Sequence, residues 1–171
     1  MAAYHSIWLM PCAEDGALFD GIVGRLAAGF GTEPFIPHLT LVEDMPRTAE
    51  DLAGVVDAAF AGAAVFSATI ARVDGGPSFF RSLYAAFLPE GPLLELKRVA
   101  VERFGVGEVA SFMPHVSLAY GVPDEAKAAA IAELAPALVG RTVRFDEIVV
   151  AASAQSIPIR DWSIAHRRSL G

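Results

Sequence analysis

The sequence predicts a chain of mixed α and β structure, written as two successive β-α-β-α-β halves. Three observations carry that expectation. Stretches that alternate polar and apolar residues take turns with stretches of helical spacing along all 171 residues. The pattern Pro-His-aliphatic-hydroxyl-Leu occurs twice, as PHLTL at 37–41 and PHVSL at 114–118. The halves also keep register, since their first strands begin at 4 and 80 and their histidines stand at 38 and 115. A doubly wound parallel sheet is the other arrangement that helix-separated strands allow. Against it, the first strand is followed by MPCAEDG, a poor phosphate loop.

Each element has its own signal. Residues 4–10, YHSIWLM, alternate and carry aromatic and β-branched side chains, so a strand is expected. Residues 14–30 place apolar groups at helical spacing behind an acidic start, though their glycines weaken the helix. FIPHLTLVED, 35–44, returns to period two. Thr48 with Asp51 then resembles a capping box ahead of a helix in LAGVVDAAFAGA, 52–63, and a strand follows at 65–74. The order repeats with a strand at 80–88, a helix at 91–104 with Pro92 in its first turn, and a strand at 112–121. A helix at 124–138, its end marked by Pro136, a strand at 142–153 and a last strand at 161–169 complete the chain. One domain over 1–171 is expected, its halves at 4–74 and 80–152 and its final strand at 161–169.

Composition narrows the classes of function. Thirteen Lys and Arg against 20 Asp and Glu leave a formal charge of -7. Tight binding of long nucleic acid relies on many cationic contacts, so that partner is not expected. No apolar run reaches the roughly 18 residues of a membrane span. The N-terminal stretch lacks the basic and apolar regions of an export signal, so a cytoplasmic protein is expected. The single Cys12 forms no intramolecular disulfide and is read as a small buried or loop residue.

The pentapeptides carry the chemistry. Residues i and i+2 of a strand share a face, so His38 projects with Thr40 and His115 with Ser117, while the leucines beside them face the core. Should the two halves face each other, two imidazoles and two hydroxyls converge on one cleft. A neutral His takes a proton from water and a protonated His gives one to a leaving oxygen; with an unperturbed pKa of about 6.5 both forms are accessible. Hydroxyls hold the nonbridging phosphate oxygens. That set suits phosphodiester hydrolysis without a cofactor. A two-His metal site is the competing reading. Ser and Thr are poor zinc ligands, however, and no neighbouring Cys/His cluster completes a shell, so no metal is expected.

These H-x-T and H-x-S motifs resemble the signature of the 2H phosphoesterase superfamily, which includes RNA 2',3'-cyclic phosphodiesterases and 2'-5' RNA ligase-like enzymes. YHSIWLMP, SFFRSLY and FMPHVSLAYG are similar, more narrowly, to its plant and yeast cyclic phosphodiesterase branch. The resemblance covers nearly the whole chain. It implies an α+β, bilobal fold with two antiparallel-rich sheets facing a central cleft, helices outside and a pseudo-twofold repeat. It places the catalytic histidines on His38 and His115 and the phosphate-holding hydroxyls on Thr40 and Ser117. It adds Tyr120 near the phosphate and Phe80, or its neighbour Phe79, as an aromatic that stacks on a nucleobase. Plant members use disulfides, which a chain with one cysteine does not share.

The expectation is a metal-independent hydrolase of a small cyclic phosphate, either a nucleoside 2',3'-cyclic phosphate or ADP-ribose 1'',2''-cyclic phosphate, acting as a monomer. His115 is assigned as base and His38 as acid, with the reverse assignment open. An enzyme acting on RNA ends and a noncatalytic nucleotide-binding module are the alternatives, and a purely structural protein the bland one. His5 and His166 are read as structural, Trp8 and Trp162 as core or cleft wall. Arg81 is read either as a phosphate ligand or as a solvated residue, and HRR at 166–168 is too small a patch to argue for RNA.

Overall fold

The computed structural model describes residues 3–171; Met1 and Ala2, the first residues of the expected domain, lie outside the described residues. Among the described residues seven strands and four α-helices follow in the order β1 (His5–Pro11), α1 (Ala13–Phe30), β2 (Leu39–Met45), α2 (Ala49–Ala59), β3 (Phe66–Gly75), β4 (Leu83–Phe87), α3 (Gly91–Phe104), β5 (His115–Ala119), α4 (Asp124–Leu138), β6 (Thr142–Ala152) and β7 (Ser163–Ser169). The class is mixed α and β with antiparallel pairing between the strands, which rules out the doubly wound parallel alternative. Among the described residues no helix is long and apolar enough to cross a membrane.

The order across the sheet is β1-β2-β5-β4-β3-β6-β7, with β1 also paired to β6. Two groups of three, β2-β1-β6 and β5-β4-β3, therefore meet at both edges. One seam is the ladder from Phe66–Phe145 to Thr69–Thr142; the other is a single bridge, Leu39–Val116. The third strand of each half sits in the other half's group. The helices repeat this exchange: α1 packs on β5 and α3 on β2, while α2 packs on β6 and α4 on β3. The halves are thus interleaved about a pseudo-twofold that relates Leu39 to Val116.

Burial explains why these segments hold. Helix α1 buries Phe19, Val23 and Leu26, spaced as one helical stripe, and α3 buries Leu93, Leu96, Ala100 and Phe104. Phe19, Leu26 and the α3 residues build the main core with Leu39, Leu41, Val116, Leu118, Phe145 and Ile148, while Val23 packs in a smaller cluster with Phe35 and Tyr120. Each fully buried aliphatic or aromatic side chain of this kind contributes roughly 1.5–3 kcal/mol relative to exposure.

Several boundaries differ from the sequence expectation for physical reasons. Strands β2 and β5 begin after Pro37 and Pro114, which have no N–H for a ladder, so residues 35–38 and 112–114 stay outside. Helix α2 starts earlier than expected, where the Thr48 hydroxyl accepts from the Asp51 N–H at 3.2 Å. Pro136 lies inside α4, which runs on to Leu138. Phe79–Arg81 form a 3-10 turn instead of opening a strand. That turn folds back on Gly76, whose N–H donates to the Ser82 carbonyl at 3.2 Å and where a Cβ would meet the Arg81 carbonyl oxygen at 2.5 Å. A second 3-10 turn at Ile159–Asp161 likewise replaces the start of the last expected strand.

Candidate functional site

The single Leu39–Val116 bridge determines the geometry. In an antiparallel pair, the residues flanking one side of a bridge face those flanking the other, so His38 lies across from Ser117 and Thr40 across from His115. Leu39 and Val116 are fully buried beneath the bridge. Alternation then turns all four polar side chains to the opposite face, where they line one cleft. The pseudo-twofold brings the two pentapeptides edge to edge.

Each histidine is fixed in the same way. The Nδ1 of His38 is 2.6 Å from the Ile36 carbonyl oxygen and that of His115 is 2.9 Å from the Met113 carbonyl oxygen. A carbonyl only accepts, so Nδ1 carries the hydrogen in both rings and Nε2 is left bare when the ring is neutral. Each ring also rests on an aromatic of the adjoining strand. Trp8 pairs with Thr40 and stacks on His38 at 3.6 Å between centroids; Tyr84 pairs with Ser117 and lies 5.2 Å from His115. Trp8 and Tyr84 are 76 positions apart, symmetry mates that sequence comparison of the halves missed because an indole and a phenol share little but aromaticity.

Burial sets the electrostatics. It lowers the pKa of His38 to about 4, against the opposing Ile36 hydrogen bond and with a smaller contribution from His115. His115, half-buried, is also lowered by burial, which its Met113 bond opposes and the Arg81 charge reinforces. Burial pushes the Tyr120 phenol above its usual range, opposed by a hydrogen bond with Ser117, so it stays a neutral donor. A proton that the unfolded chain accepts near pH 6.5 and the fold refuses until about pH 4 links pH to stability. The His38 contribution is full above pH 6.5 and is lost as pH falls toward 4, by about 3 kcal/mol. Denaturant titrations should therefore show a flatter loss over that interval for His38→Asn than for the native chain; equal slopes would count against this account.

The cleft has a volume of about 470 Å³, within the range of roughly 300–1,000 Å³ for small-molecule sites. Tyr120 and Phe80 line it beside the four pentapeptide residues. Phe80 lies 5.2 Å from Tyr120 and 6.0 Å from Trp162, near parallel to the latter. Phe79 instead packs over Gly121, whose φ of +61° and missing Cβ, which would stand 2.7 Å from the Phe79 ring, both require glycine. Trp8 and Trp162 also reach the cleft, the latter with its indole N–H donating to the Ile157 carbonyl at 3.1 Å. Arg81 lines it too and has no ion pair among the described residues.

The remaining candidates lie elsewhere. His5 is buried with Nδ1 2.8 Å from the Arg47 carbonyl oxygen, and His166 meets Asp57 at 2.9 Å on the surface. Cys12 donates to Asp15 at 3.4 Å. Among the described residues no three His, Cys, Asp or Glu side chains gather as a metal-binding group.

Comparison with known proteins agrees with this architecture. The model of the 2'-5' RNA ligase superfamily matches residues 29–156. A cyclic phosphodiesterase of Arabidopsis thaliana is 26% identical over 116 residues, 68% of this chain and 64% of that protein. The chain thus matches a little under two thirds of its relative's length. Among solved structures, Escherichia coli LigT complexed with 3'-AMP has a TM-score of 0.57 at 16% identity, covering 98% of each chain. The protein TT0787 of Thermus thermophilus has a TM-score of 0.61 at 16% identity, covering 98% of this chain and 97% of its own.

Proposed function

The chain belongs to the 2'-5' RNA ligase superfamily, and from that premise we propose that it is a cyclic phosphodiesterase that opens a small five-membered cyclic phosphate. The observation that carries this reading is the pairing of two identically held imidazoles, His38 and His115, with two hydroxyls, Thr40 and Ser117, around one strand bridge. The resemblance to a protein named cyclic phosphodiesterase supports it. LigT is described in complex with 3'-AMP, a ribonucleoside phosphomonoester of the kind such ring opening releases.

In the proposed reaction a water oxygen attacks phosphorus while one imidazole Nε2 removes a proton. The bond from phosphorus to one ribose oxygen breaks, and the second imidazole protonates that oxygen. One water is added, and a monoanionic diester becomes a phosphomonoester. Thr40, Ser117 and the neutral Tyr120 hydroxyl bind the nonbridging oxygens as charge grows on them. Burial favours the reverse of the roles expected from the sequence, with His38 as base and His115 as acid. His38, the more deeply buried ring with a pKa of about 4, is suited to remain neutral as base. His115, half-buried, is suited to hold a proton once an anionic phosphate lies beside it. Phe80 and Trp162 offer flat apolar faces to the base.

A phosphorus NMR time course with 2',3'-cyclic AMP in excess EDTA tests the reading. The cyclic signal is expected to give way to that of a monoester, and proton coupling then identifies the 2' or 3' product. Stoichiometric binding with an unchanged spectrum would instead favour a nucleotide-binding module.

A further inference from the structure

Each cleft hydroxyl is followed by an irregularity in its strand ladder. Trp8 pairs with Thr40 and Ile7 with Val42, so Leu41 is skipped. Tyr84 pairs with Ser117 and Leu83 with Ala119, so Leu118 is skipped at the equivalent place, 77 positions on. Both are β-bulges, which leave the extra residue out of the ladder, bend the strand and re-aim the side chain beside it. Burial records the break in alternation on β2. Thr40 lines the cleft, Leu41 and Val42 are both fully buried, and Glu43 lines the cleft again.

The two bulges are held differently. The Leu41 carbonyl accepts from the Nζ of Lys97 at 2.8 Å. Lys97 is 6% exposed and stands in the apolar stripe of α3, among buried Leu93, Leu96, Ala100 and Phe104. A buried ammonium is costly unless it is bonded, and the skipped residue supplies an acceptor for one of its three hydrogens. Gly107, at a φ of +78°, leaves it room, since a Cβ there would stand 3.0 Å from Nζ. Helix α1 packs on β5 as α3 does on β2, and its buried Phe19, Val23 and Ala27 stand 77 positions before Leu96, Ala100 and Phe104. The residue that answers to Lys97 is then Asp20, which is exposed, so the equivalent position gives the Leu118 bulge no such prop. Ser117 is steadied instead by its own hydroxyl, which donates to the Phe80 carbonyl at 3.4 Å.

We propose that Lys97 is a positioning residue, which pins the Leu41 bulge and so fixes the angle at which Thr40 presents its hydroxyl to the reacting phosphate. This deepens the cyclic phosphodiesterase reading and rests on it for the role of that hydroxyl. The two halves of the cleft then hold their hydroxyls by different means, Thr40 through a cation behind its backbone and Ser117 through a bond of its own side chain.

Lys97→Met, which keeps the stem and removes the donors, is expected to lower kcat on 2',3'-cyclic AMP by about tenfold or more, the scale of a small misplacement near the reacting atoms. Lys97→Arg should restore much of the rate. A merely structural lysine would cost the same in every background, so two double-variant cycles decide the matter. In Thr40→Val, Lys97→Met should cost less than about twofold, because no hydroxyl is left to aim; in Ser117→Ala it should cost its full factor. An equal loss in both backgrounds, or no loss in the native one, would overturn the proposal. Should Lys97→Met fail to fold by circular dichroism, Lys97→Leu, which continues the apolar stripe, enters the same cycles under the same criteria. If the native protein opens no ring, the cycles are read as calorimetric affinities for 2',3'-cyclic AMP. Selective coupling to Thr40 would then leave the positioning role standing while the proposed activity fails, and equal losses would overturn the role as well.

Discussion

His38→Ala and His115→Ala are each expected to reduce turnover of 2',3'-cyclic AMP at least about a hundredfold, the usual scale for loss of a positioned acid or base. The reason lies in the two free Nε2 atoms. Each ring is held by its own backbone carbonyl, at 2.6 Å for His38 and 2.9 Å for His115, so neither histidine can take over the other's geometry. The double variant should lose little more than the worse single one, because the two protons move within one transition state. Circular dichroism of the variants should match the native spectrum, which separates lost chemistry from lost fold. Near-native turnover in both single variants would end the two-histidine proposal.

Trp8→Ala is expected to lower stability by roughly 3–5 kcal/mol, since it removes a large aromatic that is only 1% exposed. It should also alter the pH profile. The indole is the slab on which His38 rests, 3.6 Å away and nearly parallel, and its removal admits water to that ring. The His38 pKa would rise from about 4 toward its ordinary 6.5. With His38 as base, the neutral fraction at pH 5 to 6 falls, so the acid limb of kcat/KM should move to higher pH. Chemical denaturation measures the first effect and a pH–rate series the second. An unmoved acid limb in a folded Trp8→Ala protein would argue against His38 as base.

The parts of the site that the sequence revealed are those that strand alternation alone determines. Once PHLTL and PHVSL are strands, the facing of His38 with Thr40 and of His115 with Ser117 follows from period two. Which strands become neighbours is not a local property, so the exchange of β3 and β6 between the halves was illegible. Phe80 was anticipated as a cleft residue but placed on a strand; the turn that carries it depends on a contact with Gly76 that only the folded chain brings about. Lys97, buried on α3 with its ammonium donating to the Leu41 carbonyl at 2.8 Å, leaves a visible signal, a cation at a stripe position of the helix at 91–104. The equivalence of Trp8 and Tyr84 leaves none, because it is one of position and not of residue identity.

The interleaving of the two halves also dictates the order in which the molecule can assemble. Among the described strands β1 precedes the others, yet one of its edges waits for β6, where Ile7 pairs with Val150. Contacts that distant in sequence close slowly, and a nascent chain carries an unsatisfied strand edge until β6 has been made. An isolated first half would keep that edge and would have to find the missing strand in another copy of itself. On this logic the first half alone would be a strand-exchanged dimer, whereas one chain that carries both halves makes the same strand pairing independent of concentration.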